Sequence, residues 1–149
     1  MLYNTPPSSE TLPANWFFIF AAWLIAAGGT LGALFFGEVM GLVPCTLCWY
    51  QRIFMFPLAI ILPLALFPLD SKVVRYALPL ALLGLGFAIY HWLLQLGIIP
   101  VSASPCSQGS SCSEVSAEWF GFLTIPLMSV CAFAAINISL LATLIRKKQ

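Results

Sequence analysis

A dithiol and an arginine share one short stretch, Pro44-Cys45-Thr46-Leu47-Cys48-Trp49-Tyr50-Gln51-Arg52. Cysteines at C-x-x-C spacing can close a small disulfide ring and reopen it by thiolate exchange. If a helix begins near Pro44, whose missing N–H costs nothing at a first helical position, Cys45 and Cys48 share one face. Arg52 then lies one turn below Cys48. The helix N-terminus and the guanidinium would both stabilise a thiolate at Cys48. An arginine so placed can also hydrogen-bond the carbonyl oxygen of an electron acceptor and stabilise the anion formed on its reduction.

A second pair, Cys106 and Cys112, lies in Pro105-Cys106-Ser107-Gln108-Gly109-Ser110-Ser111-Cys112. Its Ser- and Gly-rich surroundings favour an accessible, exchangeable bridge, and two dithiols on one face can pass electrons by disulfide exchange. For Cys45 and Cys48 the alternatives are a structural disulfide, which gains little entropically from so small a ring, and half of a four-thiolate zinc site, which an oxidising compartment opposes. Cys131, the fifth cysteine, reads as a small apolar filler. His91 is the only histidine; it is either a packed interface residue or part of the redox site, with Gln95 one turn on along the same face. Glu38 reads as a solvated loop charge.

These residues need elements to hold them, and composition says which. Of 149 residues, 61% are hydrophobic and 7% charged, a balance that takes the bilayer as solvent. The near-neutral net charge, with no basic cluster outside the extreme tail, argues against nucleic acid. Met1 to Asn15 reads as a disordered polar lead without the basic start of a secretory signal. Four spans follow, at Trp16 to Phe36, Cys45 to Leu69, about Arg75 to Ile99, and about Trp119 to Ile145. Each is long enough for a hydrocarbon core of about 30 Å. Gly28 and Gly32 suggest a face open to close helix approach. Pro57 and Pro63 should bend the second span, which covered carbonyls tolerate. The chain thus reads as an all-α membrane protein, one four-helix bundle over 16–145 with a basic tail at 146–149. Lys72, Arg75, Arg146, Lys147 and Lys148 fall in the second loop and the tail, so the positive-inside rule puts both termini in the cytoplasm and both cysteine pairs outside.

The pattern Pro-Cys-x-x-Cys-x-Tyr-x-Arg at the mouth of the second span, with four spans and a second external pair, resembles the disulfide bond formation protein B family (DsbB and its short BdbC-type members). The resemblance covers about Trp16 to Ile145. It implies a bacterial inner-membrane enzyme that reoxidises a thioredoxin-fold, DsbA-like disulfide oxidase and reduces a membrane quinone, ubiquinone or menaquinone. By position it implies that Cys106 takes the mixed disulfide with the partner, that Cys112 exchanges with Cys45, and that Cys48 meets the quinone. It makes Arg52 a quinone contact, and His91 matches a family histidine before the second-pair loop. That loop is shorter here than in the long members, which separate the second pair widely. Two rivals remain: a vitamin K epoxide reductase-like enzyme, which carries its C-x-x-C late in the bundle, and a non-enzymatic, zinc-stabilised membrane scaffold.

Overall fold

The computed structural model of the chain describes residues 12–67, 71–100, 102, 118–119 and 123–148. Helix α1 runs Leu12–Leu34 and continues as a π-helical turn at Phe35–Val39; α2 is Thr46–Leu66, α3 is Ser71–Gln95 and α4 is Ile125–Lys148. The spans Asn15–Val39, Thr46–Leu66, Lys72–Gln95 and Ile125–Arg146 are all long and apolar enough to cross a membrane. The all-α, four-span reading therefore holds. The fourth helix starts later than hydropathy suggested, because Glu118–Trp119 and Leu123–Thr124 pair as a minimal antiparallel ribbon, β1 and β2, in front of it. Glu38 lies not in a free turn but in the π-helical turn, exposed.

Each helix packs on its sequence neighbours, and α1 closes the ring against α4. Inside a bilayer the backbone must satisfy itself, which a helix does, so helix association rests on close packing and a few polar links. Ala77, Ala81, Gly84 and Ala88 form a buried small-residue stripe along α3. The ring of Phe133 from α4 sits on Gly84 so closely that a Cβ there would overlap it. Asn137, 4% exposed, donates to the carbonyls of Ala81 on α3 (3.0 Å) and Phe133 on its own helix (2.8 Å). Ser139 and Thr143 donate back to Ala135 and Ser139. Around these lies one long core that includes Ile19, Leu58, Leu62, Val74 and Leu140.

The large residues on the outer faces, such as Phe17, Leu31, Ile60, Leu64 and Ile138, are exposed in the way a lipid-facing surface requires. Cys131 lies on this outer face and is not a core filler. Helix α2 continues through Pro57 and Pro63, and α3 through Pro79. Helix α3 stops at a Gly97-centred cap: Gly97, at φ 71°, donates to Leu94 (3.1 Å) and Ile98 donates to Leu93 (3.2 Å), which satisfies two of the last carbonyls.

Candidate functional site

Helix α2 begins where its cysteines are. Cys45 is the N-cap, in extended backbone (φ −68°, ψ 167°), so Pro44 precedes the cap and Thr46 opens the helix. A small polarisable side chain at an N-cap can accept from the free N–H groups of the first turn. The Cys45 sulfur accepts from the Cys48 amide at 3.4 Å. The helix start thus favours charge on Cys45 directly, whereas the sequence suggested Cys48. The two sulfurs are 2.8 Å apart. The hydrogen bond from the Cys48 thiol, joined by His91 and the Cys48 amide, holds Cys45 below its ordinary thiol value against the opposing effect of burial.

The last turns of α3 return antiparallel beside this helix start. His91, 4% exposed, places Nε2 3.8 Å from the Cys45 sulfur. Its Nδ1 lies 3.1 Å from Nε2 of Gln51, which is also buried, at 8% exposed. The histidine therefore belongs to the cysteine pair and not merely to a helix interface. Gln51 carried no role in the reading of the sequence. The available signal was a glutamine one turn beyond the second cysteine, on a face that the bundle buries.

Arg52, which lines the same cavity as the sulfurs, is anchored to α1. Its Nη2 donates to the Ala33 carbonyl at 2.7 Å, where α1 gives way to the π turn, and its guanidinium packs over Trp49 at 5.3 Å. Gly37 makes this possible, since a Cβ there would come within 3.1 Å of Nη2.

A cavity of about 400 Å³ adjoins the site, within the ~300–1,000 Å³ of ordinary ligand pockets. Its walls include Cys45, Cys48, Arg52, His91 and Gln95, with Gly28 and Gly32 from α1 and Ile125 to Phe133 from α4. Gly28 and Gly32 meet no neighbour within the reach of a Cβ, so they create empty space instead of close helix approach; Gly29 is the glycine that receives a side chain, that of Met55. Gln95 Oε1 is buried without a hydrogen-bond partner in this wall. A buried acceptor left unpaired costs free energy unless a ligand donor meets it. The cavity thus offers arginine donors, an amide acceptor and two sulfurs inside an apolar shell.

The donor atoms of Cys45, Cys48 and His91 lie within 4.8 Å of one another. Two thiolates on one tetrahedral zinc stand about 3.8 Å apart, given bonds of about 2.3 Å. The 2.8 Å sulfur separation does not fit that geometry. Cys106 and Cys112, the other half of the expected relay, lie outside the described residues, so the four-thiolate site has no described counterpart.

Residues 14–143 match the model of a protein family described as "Disulfide bond formation protein DsbB". A "Probable disulfide formation protein" of Metapseudomonas resinovorans is 45% identical over 97% of this chain and 97% of its own length. "Disulfide bond formation protein C" of Bacillus subtilis (strain 168) is 43% identical over 81% of this chain and 88% of its own length. A "Probable disulfide formation protein" of Deinococcus radiodurans is 44% identical over 79% of this chain and 82% of its own. No solved structure gives a significant match.

Proposed function

The chain belongs to the DsbB family of disulfide bond formation proteins, and from that premise we propose that it is a membrane thiol:quinone oxidoreductase. It takes electrons from a thioredoxin-fold disulfide oxidase outside the cytoplasmic membrane, through Cys106/Cys112 and then Cys45/Cys48. The observation that carries this reading is the juxtaposition of a dithiol (Cys45 buried, Cys48 half-buried), an arginine and an unpaired amide acceptor around one apolar cavity. A quinone, ubiquinone or menaquinone, bound there supplies the two-electron acceptor.

The residues divide the work. Cys45 and Cys48 lie on one helical turn, so their bond closes and opens by side-chain rotation while the backbone stays fixed. Arg52 supplies planar, permanently charged donors at the cavity wall, suited to an oxygen that gains charge. Gln95 supplies the acceptor suited to a hydroxyl hydrogen, so oxidised and reduced ligand each find a partner. Gly28 and Gly32 leave the space, and apolar walls from α1 and α4 exclude water. The distribution of basic residues supports an orientation with the cysteine end outside the cytoplasm.

The test is anaerobic stopped-flow absorbance of the purified chain mixed with a reduced thioredoxin-fold dithiol protein and a soluble quinone. Loss of quinone absorbance should require that protein and vanish in Cys48→Ser with helix content intact. Turnover retained in Cys48→Ser would sink the assignment. Zinc in the preparation together with no quinone loss would favour the scaffold.

A further inference from the structure

Gln51 and His91, which have no part in the relay above, form a short buried chain of side chains with Cys45. An amide nitrogen has protons to give and no lone pair to receive with. In the amide orientation present, Gln51 Nε2, 3.1 Å from His91 Nδ1, is the donor and Nδ1 the acceptor. A neutral imidazole carries one proton, which this contact leaves to Nε2, the nitrogen facing the Cys45 sulfur at 3.8 Å. The order amide, imidazole, sulfur is that of a cysteine nucleophile whose histidine is oriented by a third group. We infer that Gln51 is a positioning residue that fixes His91 as the Nε2–H tautomer, so that the ring donates to Cys45 and makes it the sulfur that carries charge in the reduced pair.

Besides His91, α3 brings Tyr90 against the cluster that holds Cys45. From α2, the groups near Cys45 are Cys48 and Arg52, and Arg52 is bonded to Ala33 and packed on Trp49. From α1 and α4, the cavity wall presents no titratable side chain among the described residues. A carboxylate at position 51 would accept where the amide donates and place a proton on Nδ1. An aliphatic residue would leave both tautomers open.

The consequence rests on the proposed relay, although the tautomer itself does not. Once a second-pair cysteine is joined to Cys45 as a mixed disulfide, the other second-pair thiolate attacks that cysteine's sulfur. A new S–S bond forms there, the bond to Cys45 breaks, and its electron pair stays on Cys45, where the Nε2–H receives it. A more acidic leaving thiol departs faster.

Because His91 is the only histidine, ¹⁵N-histidine labelling reports it alone. The probe is the reduced full chain in lipid nanodiscs, with no quinone added. Nitrogen shifts should show Nδ1 bare and Nε2 protonated in the wild type. Gln51→Leu should populate both tautomers, and the nearly isosteric Gln51→Glu should put a proton on Nδ1. Release of Cys45 from the mixed disulfide should slow on the order of tenfold in Gln51→Leu, as leaving-group acidity dictates, with no further slowing when His91→Ala is already present. A protonated Nδ1 in the reduced wild type, or ring shifts unchanged by both Gln51 substitutions, would overturn the inference. Neither readout involves quinone reduction, so failure of the quinone step and failure of the tautomer assignment register separately.

Discussion

Along the middle and far part of α4, Asn137, Ser139 and Thr143 spend their donors on main-chain carbonyls, and small residues of α3 let Phe133 fill the space between helices. At the cysteine end the same kinds of groups behave differently. Gln51 and His91 bond one another, the histidine faces a sulfur, Gln95 keeps an unpaired oxygen, and the small residues Gly28 and Gly32 border empty space. A polar side chain in a membrane bundle is costly unless partnered. The first region settles the cost of its donors within its own backbone, and its unpaired acceptor, Asn137 Oδ1, lies away from the cavity wall. The second leaves it open toward a cavity, which distinguishes a site from a fastening.

Substitutions that reach the cavity should alter electron transfer, and those outside its walls, such as Asn137, should alter stability alone; Phe133 belongs to both regions. Arg52→Ala removes a preorganised donor and should lower quinone turnover by about 10²–10³-fold, the scale seen when a charge-stabilising donor is lost. Arg52→Lys should restore only part of it, because lysine lacks the planar fork. Steady-state quinone kinetics with a fixed partner concentration check both, and unchanged kinetics would return Arg52 to a packing role.

Gly84→Ala presses a methyl into the Phe133 ring. It should cost about 1–3 kcal/mol, the usual range for overpacking. Thermal unfolding in detergent should show the loss, and Phe133→Leu in the same chain should recover part of it. Asn137→Leu removes the link to Ala81 and should cost about 0.6 kcal/mol, at most about 1.7, read by the same melt with turnover per folded molecule unchanged. Cys131→Ser, on the outer face, should change neither stability beyond about 0.5 kcal/mol nor turnover. A turnover defect there would break the division between the two regions.

Much of this was legible in the sequence because the signals are short-range. Apolar runs of span length with few charges locate α1 to α3, and the spacing of Cys45, Cys48 and Arg52 survives into the first two turns of α2. What eluded the sequence depends on contacts between helices. Gly28 and Gly32 have the spacing of a packing motif, but only the positions of α2 and α4 reveal that nothing fills the groove they make. Gln51 is unremarkable until the return of α3 sets His91 against it. The start of α4 was misplaced because 119–124 is apolar enough to extend a span, while Glu118–Trp119 and Leu123–Thr124 pair as a ribbon. Arg52 was expected one turn below Cys48; the sequence could not show that the Ala33 carbonyl and the Trp49 ring anchor it there, at the cavity wall it shares with the sulfurs.

The decisive measurement is a single turnover of the fully reduced chain with one equivalent of soluble quinone, anaerobic and without a partner protein. Samples are quenched by thiol alkylation at successive times and read peptide by peptide in a mass spectrometer. The relay predicts that Cys45 and Cys48 lose alkylation together as the quinone absorbance falls, and that Cys106 and Cys112 are oxidised only afterwards, as Cys45 and Cys48 regain alkylation, because one equivalent of quinone forms one disulfide. Oxidation of Cys106 and Cys112 ahead of the buried pair, or quinone loss with Cys45 and Cys48 still alkylated, would contradict it.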